Sequence, residues 1–213
     1  SLLFRLEPRK QRDCPRVRQS RDYLQKEEEI VSREEAIALL KEYLHNENLF
    51  NHSLAVEAIM RGLARKLGED EEKYGLAGLL HDIDYDFTAE DLKVHSLKGA
   101  EILEQHGLPA DIVYAVKVHN DAHGLERKSM MDKALFATDP VSGFITAAAL
   151  VRPDKSLAGV ELKSLKKRFK EKSFARGASR EKMATCTDMG LELDEFMAIA
   201  LESMKTIATD IGL

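Results

Sequence analysis

Residues 79–84 have the sequence LLHDID. It closes an almost wholly apolar run that begins at Leu76. We predict a buried helix over residues 71–80 from this run. Such a helix brings the imidazole of His81 and the carboxylate of Asp82 to its end, just where the apolar face stops. Both groups are therefore expected at the floor of a polar pocket.

The His81-Asp82 pair has the donor atoms of a divalent metal site. An imidazole nitrogen beside a carboxylate oxygen suits Zn, Mn, Fe, Ni or Co, and also Mg where carboxylates and water dominate. Adjacent residues on a helix diverge by about 100°, but a helix end can absorb that divergence, so both groups can reach one ion. The pair alone is weak evidence, because it arises by chance in many proteins.

The rest of the chain from residue 32 also carries helical signals. Ser32 and Glu35 have the spacing of a capping box, and Asn48 or Asn51 is a candidate start for the next helix. Pro109 suits the first turn of a later one, and Asp194 is the expected cap of the last. The further predicted helices are 95–106, 109–119, 128–150, 179–188 and 194–211, with two helical pieces in 154–176. Since no alternating strand pattern exceeds four residues, the predicted fold class is all-α.

Composition limits the partners. The 213 residues carry a net charge of −5, which gives no overall attraction to nucleic acid or to an anionic membrane. No apolar run approaches the roughly 18–20 residues that a membrane span needs. Cys14 and Cys186 lie far apart, so a disulfide framework is not expected. We expect a cytoplasmic protein that binds neither membrane nor nucleic acid.

The chain divides into three predicted parts. Residues 1–31 form a basic, poorly structured N-terminal extension, because Pro8 and Pro15 interrupt any helix there. Residues 32–150 form the helical domain with the chemistry, and residues 151–213 add helices that pack on the same core. The apolar side chains of the last helix can bury against that core or against a second subunit, which leaves a homo-oligomer open.

Four further metal donors lie on other predicted helices or at their edges: His52, His95, His119 and Asp139. The sequences around them are NHSLAVEAIMRGLA from residue 51, HSLKGAEIL from 95, VHND from 118 and ATDPVSGF from 137. From residue 51 to 143 this series of donors and the sequence around it resemble the HD superfamily of metal-dependent phosphohydrolases. The resemblance implies an HD-type helical bundle with additional C-terminal helices.

The resemblance also implies roles for these residues. His52, His81, Asp82 and Asp139 match the four protein ligands of a first metal ion. His95 and His119 match the positions that hold a second ion in the dinuclear branches, where Asp82 would bridge the two ions.

The sequence departs at two places from the patterns of particular branches of the HD superfamily. Where the HDIG branches have Gly, and often Lys after it, this chain has Asp84 and Tyr85. The sequence around His119 and His123 lacks the Gly-Tyr-Pro signature of the cyclic-dinucleotide branch. The chain is thus predicted to be HDIG-like rather than a member of that branch, and the number of ions, one or two, stays open.

Candidate catalytic and substrate residues lie around this series of donors. Asp82, Asp84, His95 and His119 are the acid–base candidates, with Asp86 nearby. Asp84 and Asp86 are equally well explained as turn formers. The cations expected to meet substrate phosphate are Lys98, Lys117 and Arg61.

Other histidines and cations have simpler explanations. His45 and His106 lie near helix ends, where capping explains them, and His123 lies in a glycine-flanked loop. The basic run at 163–172 is interpreted as a solvated helix face, with the rim of an anionic substrate pocket as its alternative.

The predicted function follows from the resemblance to the HD superfamily and from the ligand set that it implies. We expect a phosphohydrolase that cleaves a phosphoester of a small molecule, with a nucleotide as the favoured case, by water activated by the metal. The alternative is a non-catalytic HD module that binds a nucleotide or a protein partner. A degenerate module would have lost ligands, whereas this sequence keeps the whole set.

Overall fold

The computed structural model describes residues 31–213, so the predicted N-terminal extension lies outside the described residues. The described residues form helices and connecting turns and contain no strand, which confirms the all-α prediction. The α-helices are α1 (Arg33–Tyr43), α2 (Glu47–Leu67), α3 (Glu71–Leu80), α4 (Tyr85–Thr88), α5 (Leu97–Gln105), α6 (Ala110–Val118), α7 (Met130–Leu150), α8 (Leu162–Phe169), α9 (Arg180–Ala184) and α10 (Leu193–Thr206).

Helix α3 lies at the centre of the bundle. Asp70 caps it by accepting hydrogen bonds from the backbone amides of Glu72 and Lys73. Every residue from Tyr74 to Leu80 is buried. The helix is enclosed because it packs against α1, α2, α6 and α7, and a helix that is surrounded has no need of a polar face. The prediction of a buried helix over 71–80 is confirmed.

Two helix starts differ from the expectation. Helix α2 is capped by Asn46, whose side chain accepts from the amides of Asn48 and Leu49. It therefore begins before Asn48 or Asn51, and His52 lies in its second turn. Helix α10 begins after Glu192. Asp194 lies inside its first turn, where its carboxylate pairs with Lys166 at 2.5 Å instead of capping the helix.

Helix α7 runs through Pro140 without interruption. Pro140 has no amide hydrogen to donate to the carbonyl of Phe136, so the ladder of the helix lacks one bond next to Asp139. The helix is capped by Ser129 and Asp132 in a capping box. Its buried face anchors the C-terminal part of the chain, because α9 and α10 both pack on it.

Segment 154–176 has the two helical pieces that were expected. It contains a 3₁₀ turn at Leu157–Gly159, then α8, and then turns that lead to α9. Helix α8 packs against α10. Within residues 31–213, no helix combines the length and the apolarity that crossing a membrane requires.

The close approach of α2 and α3 gives the first testable prediction. A Cβ on Gly78 would lie 3.0 Å from both the backbone nitrogen and the Cα of Glu57, so Gly78→Ala should lower the free energy of unfolding by about 1–3 kcal/mol through overpacking. Gly143→Ala is the matched control, because a Cβ there meets nothing within 4 Å, and it should raise stability by up to about 1 kcal/mol. Urea denaturation checks both. Equal effects of the two substitutions would contradict the close packing.

Candidate metal centre

Three helices bring the first group of donors together. His52 projects from α2, His81 and then Asp82 directly follow the last residue of α3, and Asp139 lies in α7. The Nε2 atom of His52 is 3.2 Å from Nε2 of His81, 3.7 Å from Oδ2 of Asp82 and 3.3 Å from Oδ1 of Asp139. Oδ2 of Asp82 is also 3.3 Å from Nε2 of His81.

The second group lies on the other side of Asp82. His95 lies two residues before α5, and His119 directly follows α6. The Nε2 atoms of His95 and His119 each lie 3.4 Å from Oδ1 of Asp82. One carboxylate therefore offers one oxygen to each group. The residues expected for the first ion and those expected for a second ion converge on this shared side chain.

The donor geometry fits divalent ions. In each of two sets, His52, His81 and Asp82, and Asp82, His95 and His119, the ligand atoms all lie within 4.8 Å of one another. Ligands held about 2.0–2.1 Å from an ion are separated by roughly 3.0–3.4 Å, close to the observed distances. The facing Nε2 atoms of His52 and His81 also require a proton or a cation between them, because two lone pairs at that distance repel.

Two histidines are oriented by the ends of the helices that precede them. Nδ1 of His81 donates to the carbonyl oxygen of Gly78 at 2.8 Å, and Nδ1 of His119 donates to that of Val116 at 2.6 Å. The last carbonyls of a helix lack intrahelical partners, so a histidine at the helix end can use one. This bond keeps the proton on Nδ1 and directs the lone pair of Nε2 to the centre.

The other two histidines are oriented by side chains from elsewhere. Nδ1 of His52 lies 3.0 Å from Oγ of Ser142. That hydroxyl donates to the carbonyl of Asp139 and so accepts from His52. Ser142 was not predicted from the sequence, although it follows Asp139 by about one helical turn.

Asp84 holds His95 in place. Its Oδ1 lies 3.0 Å from Nδ1 of His95, and its Oδ2 accepts from the amides of Ser96 and Gly99. The carboxylate is fully buried behind His95, away from the cavity. These contacts lead us to propose that Asp84 positions His95, and its expected catalytic role stays a prediction. Asp86 likewise points elsewhere, and accepts from the backbone amide of His45.

The centre attracts positive charge. Burial lowers the pKa of His81, but the charges of Asp82 and Asp139 outweigh it and raise the pKa to about 9. Burial opposes ionisation of Asp82 too, yet the charge of His81 and the hydrogen bonds from His119 and His81 hold its pKa well below the usual value. A metal ion that binds to His81 must therefore displace a proton.

A cavity of about 470 Å³ opens above the donors. Its wall contains Leu49, Tyr85, Leu92, Asn120, Asp121, Gly177 and Lys182 together with His52, Asp82, His95, His119 and Asp139. The amide of Asn120 donates to the carbonyls of Leu92 and His95 and ties this wall together. Lys182 was not predicted, because nothing in the sequence indicates that residue 182 comes back to a site formed by residues 52–139.

The three cations expected to bind substrate do not line this cavity. Arg61 follows His52 by nine residues, which places it about 180° around α2, where it pairs with Glu57 and Glu72. Lys117 precedes His119 by two residues, so it is turned outward and exposed.

Lys98 is also exposed, and its ammonium group pairs with Glu101 at 2.8 Å. Lys182 is the basic residue that the structure places in the wall.

The region that contains the donors is similar to known proteins. The HD domain family model matches residues 49–152, a span that contains all six donors. Residues 49–152 of this chain form an HD domain. No solved structure matches it significantly.

The HD region is similar to that of proteins named Ribonuclease Y. The one from Nitratidesulfovibrio vulgaris is 35% identical over 98 residues, which are 46% of this chain and 18% of that protein. The one from a Nitratiruptor species is 30% identical over 171 residues, which are 78% of this chain and 32% of that protein. The chain thus spans less than a third of the length of these relatives.

Asp82 should control both donor groups of the HD centre. We predict that Asp82→Asn removes bound Mn²⁺ from both, because the shared carboxylate supplies charge to each, whereas Asp139→Asn weakens only the group with His52 and His81. Metal content after equilibrium dialysis checks this. Wild-type metal content in Asp82→Asn would contradict it.

Asp84 should control the second group alone. In Asp84→Asn the amide oxygen can still accept from Ser96 and Gly99, but the amide nitrogen then faces Nδ1 of His95 and favours the wrong tautomer. We predict about a 10- to 100-fold loss of affinity for the more weakly bound ion, measured by titration calorimetry. The matched control is Asp86→Asn, two residues away and exposed, which should bind metal as the wild type does. Equal affinities in the two variants would refute the positioning role.

Proposed function

We propose that this chain hydrolyses a phosphoester of a nucleotide at a centre of two divalent ions. The observation that carries the proposal is the placement of Asp82, whose two carboxylate oxygens face two separate donor groups at the floor of one cavity. Ions held by these two groups would share that carboxylate and could act together on one phosphoryl group.

The residues of the centre orient the metal donors and exclude water from the cavity floor. Ions bound there supply an activated water and neutralise charge on the phosphoryl oxygens. The four histidines keep their Nε2 lone pairs directed to the centre through the Nδ1 bonds described above. Buried Asp82, His95 and His119 exclude bulk water from the floor, which strengthens electrostatic interactions there.

Two side chains of the wall are placed to meet the substrate. The ammonium group of Lys182 is held 2.8 Å from Asp121 and can contact a phosphate oxygen at the mouth of the cavity. Tyr85 lies with its ring 5.0 Å from that of His95. Burial, and the charges of Asp82 and Asp139, raise the pKa of its phenol, so Tyr85 stays protonated and can donate a hydrogen bond to an anion.

The size and polarity of the cavity favour a nucleotide. A volume of about 470 Å³ lies in the range of small-molecule sites. Leu49, Tyr85 and Leu92 give one part of the wall an apolar surface suited to a base, while the donors and Lys182 suit phosphate. This is the basis for a small nucleotide as the first substrate candidate.

RNA is the second candidate. The observation that favours it is the similarity to proteins named Ribonuclease Y. Because the similarity covers only 18% and 32% of the two relatives described above, their activity is a hypothesis for this chain. The similarity to proteins named Ribonuclease Y also speaks against the expectation that nucleic acid is not a partner.

A screen of phosphoesters tests the proposal. Purified protein with Mn²⁺, Co²⁺, Ni²⁺ or Mg²⁺ should release phosphate or cleave a diester from nucleotides, and His81→Ala should abolish turnover. Lys182→Gln should raise KM by about tenfold, since it removes one charged hydrogen bond, and should leave metal content unchanged. The absence of stoichiometric metal and of turnover on every substrate, oligoribonucleotide included, would support the non-catalytic binding module instead.

A further inference from the structure

A strongly basic segment leads to the metal cavity from outside the HD match. Residues 163–176, here called the basic segment, contain seven basic residues and one acidic residue, Glu171, although the whole chain carries −5. The segment follows the matched region, which ends at residue 152. It runs through α8 and the turns after it to Gly177, which lines the cavity.

The charges are concentrated on one face of α8. Lys163, Lys166, Lys167 and Lys170 follow the spacing i, i+3, i+4 and i+7, which places them on one side of a helix. Leu165 is buried on the other side. The sequence pattern predicted a solvated helix face here, and these four lysines are exposed.

Most of these cations have no acidic partner within residues 31–213. Lys166 pairs with Asp194, and the guanidinium of Arg168 lies over the ring of Phe174. No ion pair within the described part of the chain involves the other members, which are Lys163, Lys167, Lys170, Lys172 and Arg176. Lys170, Lys172 and Arg176 are exposed and lie within seven residues of Gly177.

Arg180 fixes the connection between this segment and the cavity. Its guanidinium donates to the carbonyls of Phe174, Ala175 and Ala178 at 2.6–2.8 Å and lies 4.6 Å from the ring centre of Phe144. Ala175 has a φ of 43°, a conformation that costs free energy for a residue with a Cβ and that these bonds help to hold. These bonds hold the backbone on both sides of Gly177 in a fixed conformation. They therefore also fix the backbone position of Arg176, which precedes Gly177.

One exposed apolar side chain lines the cavity, and a second lies five residues before it in the chain. Leu92, which lines the cavity, is 55% exposed, and Phe87 in α4 is 53% exposed. A basic surface that follows a phosphate backbone, together with apolar and aromatic side chains that contact bases, is the usual form of a site for single strands.

We propose that the basic segment binds the phosphates of a single-stranded oligonucleotide whose scissile phosphate lies at the metal centre. This inference rests on the proposed hydrolase function and extends it to the substrate class. A single strand suits the site because the scissile group must reach Asp82, which is only 6% exposed at the cavity floor, and a flexible strand can bend into such a cavity.

Binding of labelled single strands tests the proposal directly. The full-length wild type and the variant Lys170→Gln/Lys172→Gln/Arg176→Gln are titrated into fluorescent oligonucleotides of about twelve residues, RNA and DNA, with Mn²⁺ and with chelator, at several salt concentrations. The variant should bind at least about tenfold more weakly, and the slope of log affinity against log salt should fall by about 2, since each lost contact to a single strand contributes roughly 0.7. An effect with RNA alone, or with both strands, identifies which nucleic acid is bound.

The matched control removes the same charge elsewhere. Lys41→Gln/Lys66→Gln/Lys205→Gln, on α1, α2 and α10, should bind the strand within about twofold of the wild type. Turnover of a small phosphodiester and the thermal unfolding midpoint should be unchanged in both triple variants. Equal weakening in the two triple variants would overturn the proposal, and so would a parallel loss of small-ester turnover in the basic-segment variant.

Two further measurements separate this inference from its rivals. Binding to vesicles that contain anionic phospholipid, without binding to strands, would overturn it, as would competition by linear polyphosphate as strong as that by the strand. Segment-dependent binding of strands by a wild type that hydrolyses no phosphoester would refute the hydrolase and leave the binding surface standing. Turnover of small esters without segment-dependent binding of strands would refute the binding surface and leave the hydrolase standing.

Discussion

The structure depends on one buried carboxylate that is shared by four imidazoles. Asp82 lies at the end of a helix whose last seven residues are buried, and a charge in such a place is expensive unless it is paired. Four histidine Nε2 atoms lie within 3.3–3.7 Å of its two oxygens. The segments that supply these histidines are held in position by the same core that encloses α3. The geometry of the centre therefore depends on the packing of the bundle.

The orientation of the histidines comes largely from the fold itself. His81 and His119 use carbonyls that a helix end leaves without partners, and His52 uses a hydroxyl one turn beyond Asp139. His95 lies outside a helix and needs Asp84, which stands where the HDIG pattern has glycine. This explains why the chain departs from that pattern at residue 84: the carboxylate fills the space behind His95 and fixes its tautomer.

The fold class could be predicted from the sequence because it depends on local signals. The apolar run before His81 and the two residues of the first capping box act within a few turns of helix. The donors lie far apart along the chain, so their grouping was expected only from the resemblance to the HD superfamily. The start of α2 at Asn46 was missed because several asparagines compete for the cap. Lys182 and Gly177 were missed for a different reason: their place in the cavity wall depends on how α9 and the preceding turns pack on α7. The expected roles of Arg61 and Lys117 are opposed by helix geometry, which turns them away from His52 and His119.

We propose that Asp82 joins two ion sites in one cavity. Anomalous scattering from crystals grown with Mn²⁺ tests it most directly, because it locates each ion independently of activity. We expect two peaks on opposite sides of the Asp82 carboxylate, one beside His52, His81 and Asp139 and one beside His95 and His119. A map with no peak at Asp82, or with ions bound only elsewhere on the protein, would contradict it.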